Sequence, residues 1–422
     1  MPIIEPPATA PIPLPTVKAD QTAGSHGLGM IRIGLLYVLM GASVATVLAR
    51  VPAMRDEFQL GTDGVGLLLF GYGLGAMVGL LSTPALLGRI GLRKSIMLGM
   101  AISVGGLLLL CFSASVWNAF VPGFIGLILA NTGMGIIDVS MNVAGAELER
   151  IKQRSLLPIL HAGFSLGAAL GALVATGLIA MQVPMFPHLL GFVILLAIVG
   201  GGAVYGLRSS SDASGNNGGE EGLQKGSIRA ALSWKVIFVA IAMLGFSFAE
   251  GSAGDWMQLG ALDGHGLDET TAVAFYTVFM WTMFIGRVAG GPVVDRFGRA
   301  FALQVSAVVA FVGILMYIFT NEPWTLFVAS ALWGLGIALG FPVTMSVAGD
   351  DPKHAAARVS IISIAGYGAT LSGPPLLGLL GKEVGVLPSL IVPAVLVGIA
   401  FFASIAAKEQ AAPQGEAASA AR

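Results

Sequence analysis

Twelve apolar runs of bilayer-crossing length fill this chain and leave room for little else. A backbone in lipid must satisfy its own N–H and C=O groups, and an α-helix does so over about 20 residues per crossing. The runs cover 31–52, 63–87, 95–115, 118–141, 158–181, 188–207, 234–257, 270–293, 301–320, 324–347, 358–381 and 387–407. Only 11% of the 422 residues are charged, against 55% hydrophobic, too few to cover a water-soluble surface. The chain therefore reads as an all-α polytopic membrane protein. Its 59 glycines suit helices that approach closely in lipid.

Lys and Arg mark the cytoplasmic side of such a protein. Eighteen of the 22 fall in the termini and in alternate loops, three (Arg50, Arg55 and Lys382) fall on the opposite side, and Arg287 lies inside a run. Both termini are expected in the cytoplasm. The stretch 1–27 has six prolines in its first fifteen residues and reads as a disordered extension. Ser209 to Gly226 is rich in Gly, Ser and Asn, so 208–233 reads as a linker between bundles at 28–207 and 234–407, and 408–422 as a disordered tail.

The two halves echo each other. LGRIGLRK (87–94) matches VDRFGRAF (294–301), TGMGI (132–136) matches WGLGI (333–337), and MNVAG (141–145) matches MSVAG (345–349). Such echoes point to a duplicated six-helix unit with parallel halves. The segment GGPVVDRFGR, with Gly291, Asp295, Arg296, Gly298 and Arg299, resembles the loop signature of the major facilitator superfamily. The first-half copy keeps Arg89, Gly91, Arg93 and Lys94 but has Pro84 and Gly88 where Gly and Asp are usual. The segments AEGSAGDW (249–256), DGHG (263–266), WGLGIALGFP (333–342) and SGPPLLGLLG (372–381) resemble those of a bacterial inner-membrane branch of that family. DVSMN (138–142) resembles the Glu-x-x-x-Asn of fucose permeases, with Asp in place of Glu. The resemblance implies twelve transmembrane helices in two parallel six-helix bundles, a bacterial inner-membrane location and a central cavity lined by runs one, four, seven and ten. It also implies that Asp138 is the proton-coupling acid.

Ionisable residues inside the runs are the candidates for function. A carboxylate at the bilayer centre costs roughly 2.5–3.5 kcal/mol on insertion scales, so such residues mark proton or substrate paths, or ion pairs that fix packing. Asp138 lies deep in run four, with Asn131 and Asn142 on its face of the helix. Glu250 and Asp255 in run seven stand about 140° apart at the helical spacing of 100° per residue, so they do not form a pair on one face. Glu250 is read as a cavity acid or half of a structural ion pair. Asp255 lies nearer the outer end beside Trp256, as a cavity residue or a solvated one. His161 opens run five and offers a relay with near-neutral protonation chemistry, or a structural role.

Arg50 ends run one and either snorkels outward or meets a solute, Glu250 or Asp138. Trp256, Tyr276, Trp333 and Phe341 offer rings on which a sugar could stack, or rings that face lipid. Asp295, Arg296 and Arg299, with Arg89 and Arg93, form a candidate cytoplasmic gate. Arg287 either bonds inter-helix carbonyls or reaches Asp295 at the cytoplasmic end.

Cys111 is the only cysteine, and no metal-ligand, nucleophile–base or phosphate-loop pattern is present, so neither enzyme nor cofactor or metal chemistry is expected. A net charge of −1 points to no nucleic-acid partner. The reading is a monomeric, proton-coupled secondary transporter of a small polar organic solute, a sugar or glycoside favoured. A proton-driven exporter and a non-transporting membrane receptor on the same scaffold are the alternatives.

Overall fold

A computed structural model describes residues 23–152, 156–206, 232–348, 350 and 354–408. The first bundle contains α1 (Ala23–Leu48), a short α2 (Val51–Glu57), α3 (Thr62–Ile90), α4 (Leu92–Phe112), α5 (Phe120–Lys152) and α6 (Leu157–Ala180). Its sixth crossing is α7 (Met185–Leu195) continued by α8 (Gly201–Tyr205). The second bundle contains α9 (Trp234–Leu259), α10 (Glu269–Phe297) and α11 (Arg299–Phe319). A tenth crossing made of α12 (Pro323–Ile337) and α13 (Gly340–Ala348) follows, then α14 (Ala355–Val384), and last a crossing made of α15 (Val386–Ser389) and α16 (Ile391–Ala403). Among the described residues there is no strand. Eleven of these crossings are long and apolar enough to span a bilayer. The remaining one, α14, has 30 residues, but Gly, Ser, Thr and the Pro374–Pro375 pair dilute its apolar content.

The duplication is visible in the backbone. α3 and α10 are both 29 residues long, and α4 and α11 are both 21. Each pair is separated by one glycine with positive φ, Gly91 at 76° and Gly298 at 81°. That conformation is open to glycine at little cost and turns the chain within a single residue. α3 and α10 also each carry one proline near the cytoplasmic end, Pro84 and Pro292.

Helix ends differ from the hydropathy limits, for reasons of backbone chemistry. The first crossing ends at Leu48 rather than near 52, because Pro52 starts the separate helix α2, where its missing N–H is harmless. The tenth run is not one helix: Pro342 cannot donate to the carbonyl four residues back at Ala338, and the helix breaks there. Pro393 stands in the same relation to Ser389 in the twelfth crossing. Helix also extends past the apolar runs, to Lys152 in α5 and back to Ala23 in α1. Almost all of the expected extension 1–27, linker 208–233 and tail 408–422 lies outside the described residues.

Small residues let the helices touch backbone to backbone. A Cβ added at Gly167 in α6 would stand 2.0 Å from the carbonyl oxygen of Val38 in α1, and one at Gly133 in α5 would stand 2.3 Å from that of Gly99 in α4. The bundles meet in the same way. A Cβ at Gly66 in α3 would lie 2.8 Å from the Pro374 oxygen and 3.0 Å from the Gly378 Cα in α14.

The seal between the bundles is one-sided. A set of side-chain ties joins the bundles at the end that carries Arg55 and Lys382. Arg55 grips both carboxylate oxygens of Asp263 at 2.7 and 2.6 Å. Lys382 meets Asp63 at 2.8 Å, Gln258 donates to the Leu48 carbonyl at 3.0 Å, and Thr176 meets Thr277 at 2.8 Å. At the opposite end Asp350 accepts from Arg299 at 2.5 Å and from Lys235 at 3.4 Å, both within the second bundle. The bundles are therefore tied together at the Asp63–Lys382 end, the end that the Lys and Arg distribution leads one to expect on the outer face.

Two outcomes follow. A disulfide formed by Asp63→Cys with Lys382→Cys, in a Cys111→Ser background, should abolish solute exchange, and a reductant should restore it. Gly66→Leu should hold the outer face apart and raise, by roughly tenfold or more, the rate at which Thr277→Cys reacts with a membrane-impermeant thiol reagent. An unchanged rate would remove Gly66 from the closure.

Candidate transport site

Three helices of the first bundle bring their rare polar groups to one place. Asp138 and Asn142 lie one turn apart on α5, and the Asn142 amide donates to the Asp138 carboxylate at 3.2 Å and to its backbone oxygen at 3.0 Å. The Asn142 side-chain oxygen accepts from the Tyr37 hydroxyl of α1 at 2.9 Å and lies 3.1 Å from His161 Nε2 of α6. Tyr37 and His161 meet edge to face, with ring centroids 5.3 Å apart. Asn142 thus uses both ends of its amide to hold an acid, a phenol and an imidazole together. The imidazole is exposed, on the side where the bundles do not touch.

Asp138 faces the space between the bundles, not lipid. It is half-buried, and one of its electrostatic neighbours is Tyr367 on α14 of the opposite bundle. Tyr367 is itself 38% exposed, although it sits mid-helix beside other bundle-facing groups.

A second cluster continues the first across the divide. Ser165, one turn after His161, accepts from Arg287 of α10 at 3.0 Å. Arg287 also forms an ion pair with Glu250 of α9 at 2.8 Å. The expectation that Arg287 reaches Asp295 at the cytoplasmic end is therefore corrected. The two lie eight residues apart on α10, and the guanidinium turns inward, where Glu250 supplies the charge that a cation in lipid requires. Glu250 is accordingly half of an ion pair.

Arg50 meets neither Glu250 nor Asp138. It precedes α2 at the outer face, 3% exposed, and donates to His188 Nδ1 at 2.9 Å and to the Val183 carbonyl at 2.7 Å. Glu269 at the start of α10 lies 3.8 Å away, so Arg50 spans the two bundles. Burial lowers the hold of this guanidinium on its charge, and Glu269 opposes that effect.

The other candidates are placed as follows. Asn131 turns its amide to the Leu127 carbonyl of its own helix. Trp333 is fully buried inside the second bundle, edge-on to Phe279 and next to Tyr317, so its ring does not face the other bundle. Phe341 lies just past the break in the tenth crossing and is exposed. Trp256 and Tyr276 are fully buried, and Asp255 is buried beside them. Arg89, Asp295 and Arg296 are exposed at the cytoplasmic end, Arg93 lies over the Tyr205 ring at 5.3 Å, and Arg299 is tied to Asp350.

Sequence reading missed Tyr37, Ser165, Tyr367, Lys235 and Asp350. Ser165 had a usable signal, since it lies four residues from His161 on the same helical face. Tyr37 and Tyr367 had none: each is a lone phenol in an apolar run, and only the meeting of helices distinguishes it from a lipid-facing ring.

The chain belongs to the major facilitator superfamily, whose family model matches residues 33–320 and 239–421. It is 26% identical over 369 residues to an uncharacterised MFS-type transporter of Yersinia pestis, covering 87% of this chain and 93% of that one. A variant of the E. coli fucose:proton symporter FucP superposes with a TM-score of 0.60 at 16% identity, over 92% of this chain and 99% of that one. The nucleoside transporter NupG superposes with a TM-score of 0.68 at 15% identity, over 91% of this chain and 98% of that one. The chain is thus a multi-pass membrane transporter and not an enzyme.

The Arg287–Glu250 pair is open to a stability test. Removing either partner leaves a charge in a poorly solvated place. A fully buried pair broken in this way costs about 3–5 kcal/mol, and because these side chains are 22% and 31% exposed the expected cost is smaller, on the order of 2 kcal/mol. Arg287→Met and Glu250→Gln should each lower the thermal midpoint of the detergent-purified protein. The double variant should recover most of the loss, and additive losses would show that the pair does not act as a unit.

Proposed function

We propose that this transporter is a proton-coupled secondary carrier that moves a small polar organic solute, with sugars and glycosides favoured, by rocking its two bundles about the Asp138–Asn142–His161 cluster. The observation that carries the reading is the company Asp138 keeps. Its direct partner is a neutral amide, it has no ion pair among the described residues, and it faces the opposite bundle. An acid without a resident counter-ion is free to exchange a proton as its access to water changes, whereas Glu250 is committed to Arg287. His161, exposed and joined to the same Asn142 oxygen, supplies a short path to the inner face.

The chemistry of the site supports a neutral, hydroxyl-rich solute. Arg287 already has a carboxylate partner, so no unmatched cation waits for an anion. Asn142, Ser165, Tyr37 and Tyr367 offer donors and acceptors suited to hydroxyl groups, and two phenol rings can flank a sugar face. The fold likeness to a fucose:proton symporter and a nucleoside transporter supports the same class.

The rocking itself is a two-state equilibrium biased by contacts made in only one state. In the inward-facing state those contacts are the outer ties. Arg89, Arg93, Asp295, Arg296 and Arg299 are proposed to supply the cytoplasmic counterpart when the outer face opens.

The test uses proteoliposomes with an imposed pH gradient and a panel of labelled sugars, glycosides and nucleosides. Gradient-driven accumulation of one of them should appear with the native protein. Asp138→Asn should abolish accumulation and retain tracer exchange at equal concentrations. Undiminished accumulation in that variant would remove Asp138 from coupling, and binding without any exchange would favour a receptor.

A further inference from the structure

Between the Arg287–Glu250 pair and the outer seal lies an acid that none of these contacts uses. Asp255 sits on α9, 9% exposed, and has neither a hydrogen bond nor an ion pair among the described residues. Its carboxylate is directed back along the helix, 4.0 Å from where a Cβ on Gly251 would stand. The titratable groups in electrostatic reach of it are two phenols, Tyr72 of α3 and Tyr276 of α10. Tyr276 is fully buried, and its hydroxyl has no hydrogen-bond partner. It is also within electrostatic reach of Glu250.

Three polar heads therefore converge without pairing, and they come from both bundles: Tyr72 from the first, Asp255 and Tyr276 from the second. An unpaired buried carboxylate is costly in its ionised form, and no cation is near enough to match it. The lid over this place is made of contacts that must part when the bundles rock. Gln258, three residues further along α9, holds the Leu48 carbonyl, and Thr277, the neighbour of Tyr276, holds Thr176. A movement that separates α3 from α9 and α10 at the outer face would open Asp255 to outside water and carry Tyr72 away from it.

We propose that Asp255 is a second proton-binding site, sealed in the inward-facing state and loaded from the outer face when the outer contacts part. Asp138 and Asp255 then meet water in alternation, one from each side. The inference rests on the proton-coupled reading, and it gives Asp255 proton binding in place of direct solute contact.

The test needs no knowledge of the solute. In the purified full-length protein, infrared difference spectroscopy follows the carbonyl stretch of protonated carboxyl groups through a pH titration. The disulfide between Asp63→Cys and Lys382→Cys holds the outer face shut, and reduction releases it. Asp255→Asn should remove one carboxylic-acid band, and Asp255→Glu should keep a band at a shifted position, which guards against loss through misfolding. In the locked protein that band should persist to a pH higher than in the reduced protein or in Gly66→Leu, by about one unit or more, a tenfold change in proton affinity. Asp138→Asn should remove a different band and leave this one, so failure of the coupling acid and failure of this site read separately. The proposal is overturned if Asp255→Asn leaves every acid band in place, or if the band titrates identically in the locked and released forms.

Discussion

A single charge pair at mid-membrane, Arg287 with Glu250, sets the terms for the other polar groups in this protein. A lone ion there is expensive, and a matched pair with a further hydrogen bond to Ser165 is tolerable. Arg287 lies deep within its crossing and is spent on Glu250, so Asp138 and Asp255 are left with neutral neighbours. Asp138 has an amide and two phenols around it, and Asp255 has two phenols. The same pair joins the bundles through Ser165, so the element that fixes the charge balance also links the two halves.

The closure of the bundles depends on how little separates the helices at the Asp63–Lys382 end. Gly66 meets Pro374 and Gly378 with no side chain between them, and that approach brings Asp63 to Lys382 and Arg55 to Asp263. Exposed ion pairs of this kind contribute little singly. Weak, numerous contacts suit a seal that must break and re-form in every cycle. At the other end Asp350 gathers Lys235 and Arg299 inside one bundle, and Asp295 and Arg296 are exposed.

Much of the fold was legible because lipid imposes a strict rule on the backbone. The apolar runs marked the crossings, and the LGRIGLRK and VDRFGRAF loops marked the duplication, later seen as paired helices of 29 and 21 residues around Gly91 and Gly298. The breaks at Pro342 and Pro393 were written in the sequence too, but hydropathy is blind to a missing N–H. For the site, Asp138, Asn142, His161, Glu250 and Arg287 stood out because polar groups in lipid are rare, and the structure brings all five into one connected set. The aromatic stripe was less informative. Trp333 shares its helix face with other apolar residues whether that face meets a cavity or, as here, Phe279 and Tyr317.

The amino-acid sequence alone determined that the chain is a membrane-spanning helical duplication, and which few side chains are costly enough to need a reason. Those properties follow from local chemistry: hydropathy, charge and helical spacing act within one segment. Partnership was decided only by the tertiary structure. That Arg287 answers Glu250 and not Asp295, that Arg50 reaches His188 and Glu269, and that Tyr367 faces Asp138 all depend on which helices meet and at what height. No spacing along one helix encodes the distance to another, so these pairings appear only when the bundles are assembled.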